Sequence, residues 1–281
     1  MSQTALAEQY GLHRVGARPG LFSYLKQTWD RRDFITSMAA FKMAVQNQEN
    51  RLGAAWLVLK PMLNALIYGT IFGVIQQGNR PPDYAALVVI GVFLFEFFSS
   101  SFTQGAKAIT GNRALVQSLA FPRIALPLAV VVEQVYSLLL STVVMLVIVM
   151  AMGHWPTWNW LMMIPLLMLY TMFNTGVALF TARLTVHFRD LTQILPFASR
   201  LLFYTSGALF DVTTIFAAHP WVIAVYDWHP IYQTLVIARS SLTGTVSYDP
   251  MYWLYLGLWA VVALVVGFIF FWVAEERYGR D

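Results

Sequence analysis

The sequence predicts an all-α membrane protein with six transmembrane helices, an N-terminal amphipathic interface helix and outer re-entrant helices. Three observations lead there. Of 281 residues, 58% are hydrophobic and only 11% charged, whereas soluble domains carry about a quarter charged residues. Six apolar runs (54–76, 84–104, 128–152, 160–182, 192–210 and 251–273) approach the roughly 20 residues that a spanning helix needs. Threading them alternately through a bilayer puts sixteen of the eighteen Lys and Arg on the side of both termini, with only Arg80 and Arg239 opposite. Basic loops face the cytoplasm, so both termini are expected there. The predicted divisions are a cytoplasmic N-terminal segment (1–53), a six-helix permease domain (54–274) and a short cytoplasmic tail (275–281).

Residues 1–53 contain no apolar run followed by a small-residue cleavage site, so no cleaved signal peptide is expected. Within them, "DRRDFITSMAAFKMAVQ" sets Phe34, Met38, Phe41 and Val45 on one helical face, with Arg31, Arg32 and Lys42 available to headgroups. That pattern predicts a helix lying on the membrane surface. Gly53, Ala54 and Ala55 permit a bend before the first span, and Trp56 suits the interface. Lys60 and Arg200 sit a turn or two inside their spans and can snorkel.

Between the second and third spans, "KAITGNRALVQSLAFPRIALPL" carries a helix start at Asn112 and a stop at Pro122. The helix expected over 112–122 puts Leu115 and Leu119 on one face. Two turns are too short to be stable alone, so this segment docks on a partner or lies on headgroups. The loops "QQGNRPPD" and "GHWPTWN" are short turns. The fifth run holds Gln193, Pro196 and Arg200, which predicts a tilted, broken or water-facing helix. Residues 211–250 are aromatic (Phe216, Trp221, Tyr226, Trp228, Tyr232) but interrupted by Pro220, Pro230 and Gly244. They read as two short interfacial or re-entrant helices, placed as an outer gate.

Several chemistries find no support. There is no cysteine, hence no disulfide or thiolate metal site. The net charge of +4 is spread over segment ends, which argues against nucleic acid. No P-loop, H-E-x-x-H or D-x-D occurs, and His154, His187, His219 and His229 are scattered over loops, so no catalytic or metal residues are assigned. Glu96 and Glu133 are the intramembrane acids. Glu96 is open to two roles, a proton relay or a structural hydrogen bond to Asn64 or Asn174.

Taken together, Arg32-Asp33, Leu52-Gly53-Ala54-Ala55-Trp56 and Lys60-Pro61 resemble the N-terminal signature of ABC-2 exporter permeases. "HFRDLTQILPFASRLLFYTSGALF" is similar to that family's fifth-span segment. "HPIYQTLVIARSSLTG" resembles its Asn-Pro-x-Tyr stretch, with His229 in the asparagine position. The resemblance covers residues 30–275 and is greatest to the polysaccharide-exporting, Wzm-type branch (O-antigen, teichoic acid and galactan export), leaning to the actinobacterial galactan exporter permease.

That resemblance implies a type V exporter-like fold working as a homodimer in the cytoplasmic membrane, in contact with membrane lipid. It implies two copies of a separate P-loop ATPase, which carry the ATP and Mg, with no cofactor on this chain, and a polyprenyl-diphosphate-linked polysaccharide as substrate. By the same likeness Asn112, Arg113, Leu115, Leu119 and Phe121, with Arg32 and Asp33, would couple to the ATPase. Tyr68, Phe72, Phe197, Phe203 and Tyr204 would line the conduit, since sugars stack on aromatic rings. Trp221, Trp228 and Tyr232 would form the outer gate. The alternatives are an ABC-2 drug or lipid exporter, a gradient-driven carrier using Glu96, and a glycan-modifying enzyme acting on polyprenyl-phosphate-linked sugar.

Overall fold

The computed structural model describes residues 20–48, 51–76, 81, 83–118 and 121–275. Among these the regular structure is entirely helical. The helices are α1 (Leu21–Asp30), α2 (Arg32–Gln48), α3 (Trp56–Ile75), α4 (Tyr84–Ala106), α5 (Arg113–Ser118), α6 (Ala125–Ala151), α7 (Met163–His187), α8 (Leu191–Thr205), α9 (Val212–Ile215), α10 (Pro220–Asp227), α11 (Pro230–Thr243) and α12 (Met251–Val273). Short 3-10 turns precede α3, α5 and α7.

Five of these helices, α3, α4, α6, α7 and α12, are long and apolar enough to cross a membrane. Their limits match the predicted runs closely. The run predicted over 192–210 is shorter in fact. Helix α8 has 15 residues, about 22 Å at 1.5 Å per residue, and the chain leaves the helix at Ser206. It still travels from one end of the bundle to the other. The carbonyl of Leu209 accepts from Tyr84 Oη at 3.1 Å and Gln76 Nε2 at 3.4 Å, at the far ends of α4 and α3. Pro61 and Pro196 lie inside α3 and α8, each removing one backbone donor and favouring a bend.

The end that holds α1, α5 and the last turn of α12 is called basal here, and the opposite end distal. Helix α4 is the hub, packed by α3, α6, α7, α8 and α11. Within the apolar windows, 72% of α4 is buried but only 17% of α3. Helices α7 and α12 meet at backbone distance. A Cβ built on Gly176 would lie 2.2 Å from the Ala263 carbonyl carbon, and one on Gly267 would lie 2.2 Å from the Gly176 oxygen. Only glycine permits this approach.

The N-terminal region departs from its expectation. Two helices form, broken at Arg31, and the predicted face is split between them and their surroundings. Ile35 and Ala39 are the buried residues of α2, packed with Phe34 and Met38 against Ala125, Leu128 and Ala129 of α6. Phe41 and Val45 stay exposed. The helix clasps the bundle along one edge through Ile35 and Ala39, because α6 extends far enough basally to offer it an apolar groove, while Phe41 and Val45 keep an apolar edge outward.

Candidate functional site

Three groups of side chains come together. The first is an aromatic wall shared by α3, α4 and α8. Tyr68 lies 5.1 Å from Phe203 and 6.1 Å from Tyr204, ring centre to ring centre. Phe72 stacks on Tyr204 at 6.4 Å, and Phe95 meets Phe203 at 4.9 Å. Aromatic pairs at these distances and tilts are mutually stabilising. Helix α8 presents them through its amphipathic spacing. Leu195, Ser199 and Phe203, four apart, are buried, and Ser199 Oγ donates to Ser99 Oγ at 2.7 Å. Ile194, Leu201 and Tyr204 face outward. Four predicted conduit residues (Tyr68, Phe72, Phe203, Tyr204) are thus in one cluster. Phe197, two turns nearer the basal end, is exposed and makes no ring contact with them.

Beneath this wall, along the same stripe of α3, a cleft of about 280 Å³ opens between α3, α4 and α6. Its polar lining includes Lys60, Glu96, Ser100, Gln104 and Gln134, with Trp56 at the side. Neither expected partner of Glu96 is observed. Ser100, one turn on, and Lys60 on α3 line the cleft beside it, and Lys60 supplies the opposing charge. Asn174 instead donates to the Tyr170 carbonyl at 2.8 Å, since its position on α7 faces the helix's own preceding turn.

The second group is basal. A 3-10 turn over Thr110–Asn112 runs straight into α5. Asn112 is therefore not the N-cap its sequence position suggested. It already lies in helical geometry, and its Nδ2 donates back to the Ala108 carbonyl at 2.7 Å. Val116 is buried, and Leu115 packs against the same basal cluster. Gly111, Arg113, Ala114 and Gln117 form the exposed face. Phe121 meets Phe34 at 5.4 Å, joining the loop to α2. Leu119 lies outside the described residues. Arg32 and Asp33 form an exposed pair at 3.8 Å, worth little by itself.

A latch that sequence reasoning missed holds this region. Tyr24 of α1, fully buried, donates to Glu275 Oε2 at 2.6 Å and accepts from Ile124 N–H at 3.3 Å. Glu275 Oε1 accepts from Arg123 N–H at 2.9 Å, and the Arg123 guanidinium donates to the Glu275 carbonyl. One carboxylate thereby joins α1, the exit of the basal loop and the end of α12. Burial pushes the Glu275 carboxyl above its ordinary value, while the Tyr24 bond and Arg123 draw it partway back. A carboxylate 251 positions from its tyrosine leaves no local pattern to read. The nearest signal was the glutamate pair Glu275-Glu276 following a long apolar run.

The third group is distal. Helix α11 starts at Pro230 with His229 Nδ1 accepting from Tyr232 N–H at 3.4 Å, and ends at Gly244 in the left-handed region (φ 69). Both are ordinary helix boundary devices. Burial holds the His229 imidazole below its ordinary pKa, which preserves the acceptor nitrogen. Almost all of α11 is buried, and none of α10 is. The gate residues separate accordingly. Trp221 is exposed. Trp228 is partly exposed but pinned, stacking on Tyr255 at 4.7 Å while its carbonyl accepts from Trp259 Nε1 at 2.8 Å. Tyr232 is buried, 5.3 Å from Tyr226. Arg239, read from the sequence only as an orienting charge, is buried and donates to the carbonyls of Leu87 and Ala208. Gly91 makes room for it, since a Cβ there would lie 2.9 Å from Arg239 Nη2 and 2.3 Å from the Ala208 oxygen.

Helices long and apolar enough to cross a membrane, an N-terminal helix packed along the bundle, a basal loop helix and paired distal helices are the parts of an exporter permease. Residues 35–243 match the ABC-2 type transporter family. The chain belongs to that family. An ABC-2 transporter of this kind is a transport permease, and its named relatives are too. It is similar to the O-antigen export system permease protein RfbA of Myxococcus xanthus, 29% identical over 191 residues, covering 68% of this chain and 73% of the relative. The protein of the same name from Klebsiella pneumoniae is 26% identical over 250 residues, covering 88% and 94%. The polysialic acid transport protein KpsM of Escherichia coli is 23% identical over 228 residues, covering 80% and 87%. The family match begins in α2 and ends with α11, so the basal and distal groups both fall within or beside the shared part of this ABC-2 transporter.

Proposed function

We propose that this permease exports a lipid-linked polysaccharide across the cytoplasmic membrane, powered by a separate P-loop ATPase. The observation that carries the reading is the wall of Tyr68, Phe72, Phe203 and Tyr204, four rings on the least buried helix and its neighbour. Apolar rings, two of them (Tyr68 and Tyr204) with a hydroxyl tip, suit a sliding sugar chain, which needs stacking without tight capture. The names of the relatives support the same substrate class. The six-pass topology with both termini cytoplasmic follows from the basic-residue asymmetry, with α8 as the short pass.

The functional unit is a homodimer with two ATPase subunits. Exposed apolar positions on α3 and α8, such as Leu66, Ile71 and Leu201, then face the second copy across the conduit. The exposed face Gly111, Arg113, Ala114 and Gln117 meets the ATPase, with Leu115 serving to hold α5 in place. A polyprenyl-diphosphate carrier is the lipid, and galactan is the finest grain of the proposal. Deleting the gene in its own host tests all of this. Cytoplasmic accumulation of the lipid-linked glycan, relieved by the wild-type chain and not by a Tyr68→Ala, Tyr204→Ala variant, is expected, and sugar analysis of what accumulates identifies the polymer. Unchanged surface polysaccharide in the deletion strain would refute the proposal.

A further inference from the structure

We infer that the cleft between α3, α4 and α6 is a sugar-binding subsite, in which one or two sugar units of the exported chain rest before meeting the aromatic wall. The inference deepens the export reading and rests on it. The cleft of about 280 Å³ approaches the lower end of small-ligand pockets. Its lining combines the flat ring of Trp56 with the carboxylate of Glu96, the amides of Gln104 and Gln134, and the hydroxyls of Ser100 and Ser137. A pyranose is recognised by this mixture: an aromatic face against its C–H surface, and carboxylate and amide groups that exchange hydrogen bonds with its hydroxyls.

The competing occupants fit less well. An acyl chain gains nothing from a polar lining, which costs free energy when it is buried unpaired against hydrocarbon. A bare phosphate would lie beside the Glu96 carboxylate, where like charge opposes it. Among the described residues no group of three His, Asp or Glu is placed to hold a metal.

Position adds to the argument. On α3, Pro61 lines the cleft while Tyr68 and Phe72, seven and eleven residues on, carry the wall, so both occupy one helical stripe. Towards the basal surface, Gln104 also lines a second groove of about 370 Å³ with Lys42, Lys107 and Asn112. Burial holds the Lys42 ammonium below its ordinary pKa, partly offset by the charge of Glu133. Gln104 is shared by the groove and the cleft, so a polar lining leads from the basal surface past Gln104 to Glu96, with the rings further along the same stripe of α3. Glu96 is a hydrogen-bond acceptor for hydroxyls on this track, with the Lys60 charge lining the same cleft.

The test uses the full permease with its ATPase partner in living host cells, with the photo-crosslinker p-benzoylphenylalanine replacing Leu57 in the cleft, Tyr204 in the wall, or Val261 on the exposed side of α12 as control. Mass spectrometry of the trapped adducts is the readout. A hexose-containing adduct at Leu57 and none at Val261 is expected. Glu96→Gln should lower the Leu57 adduct about tenfold, the worth of one hydrogen bond to a charged group, and Trp56→Leu, which removes the stacking ring, severalfold, while co-purification of the ATPase confirms assembly. Glycan trapped at Tyr204, with only phospholipid or nothing at Leu57, overturns the subsite and leaves the export reading standing. An unchanged Leu57 adduct in Glu96→Gln overturns it as well. Glycan at neither position overturns both.

Discussion

Replacing Tyr24 by Phe isolates the basal latch, because the ring stays while the hydroxyl goes. The lost hydroxyl donates to Glu275 at 2.6 Å and accepts from Ile124 N–H at 3.3 Å. A hydrogen bond to a charged group contributes about 1.5–3 kcal/mol, and a buried carboxylate left with fewer donors bears the penalty in full. The expected loss is about 2–3 kcal/mol, or a drop in Tm of roughly 4–10 °C on the scale of larger soluble domains. Thermal unfolding of the purified permease measures it, and a double-mutant cycle with Glu275→Gln should give strongly non-additive effects. The pH dependence has a definite sign. Burial raises the Glu275 carboxyl in the folded state, so the folded chain holds that proton more tightly than the unfolded one. Its contribution is complete below the ordinary value of 4.5 and is lost as pH rises through the raised value. Glu275→Gln should flatten this slope, and Tyr24→Phe, which removes an influence drawing the pKa down, should move the loss to higher pH. Additive single effects, or a Tyr24→Phe protein as stable as wild type, would refute the latch.

Gly176→Ala should destabilise by about 1–3 kcal/mol through overpacking, since the new methyl meets backbone and not a flexible side-chain end. Chemical denaturation in detergent reads this, and a neutral result would mean that α7 and α12 are not in backbone contact. His229→Ala should cost about 1 kcal/mol by removing the cap of α11. His229→Asn, which restores an acceptor, should recover most of it in the same assay. Arg113→Glu on the exposed face of α5 should lower export per ATP hydrolysed in the reconstituted complex while leaving the permease's own Tm unchanged. Wild-type coupling in that variant would remove α5 from the ATPase contact. Arg239→Met should cost about 1–3 kcal/mol by leaving the Leu87 and Ala208 carbonyls without their donor.

The spanning helices were legible because hydrocarbon imposes one rule everywhere: about 20 apolar residues with every backbone group paired internally. The match at Met251–Val273 is residue for residue. Helix α8 was misjudged in length because Ser206 to Phe210 is apolar enough to continue a helix but is needed as a turn reaching Tyr84 and Gln76. Four of the five aromatics named through the family resemblance come together because Tyr68 and Phe72 keep their i, i+4 spacing in any arrangement of α3 and Phe203 and Tyr204 are adjacent on α8. What stayed hidden was long-range. Leu115 was read as an outward knob, but a six-residue helix must turn an apolar side inward to be stable at all, and that side holds Val116 and Leu115. Glu96 lies beside Ser100, one turn on, and beside Lys60 of α3, and only the second of these is out of reach of local spacing. Arg239 looked like a loop charge, because nothing local reveals that Gly91 leaves a space for it.

The glycine seam between α7 and α12 determines where a push at the basal loop can go. Arg123 is tied to Glu275, Glu275 ends α12, and α12 abuts α7 backbone to backbone. Between the loop and the α7–α12 slab there is almost no side-chain slack to absorb displacement. A displacement of the loop's exit at Arg123 would therefore pass to α12 and on to α7, whereas α3, with only 17% of its apolar window buried, is the long helix that the rest of the bundle holds least.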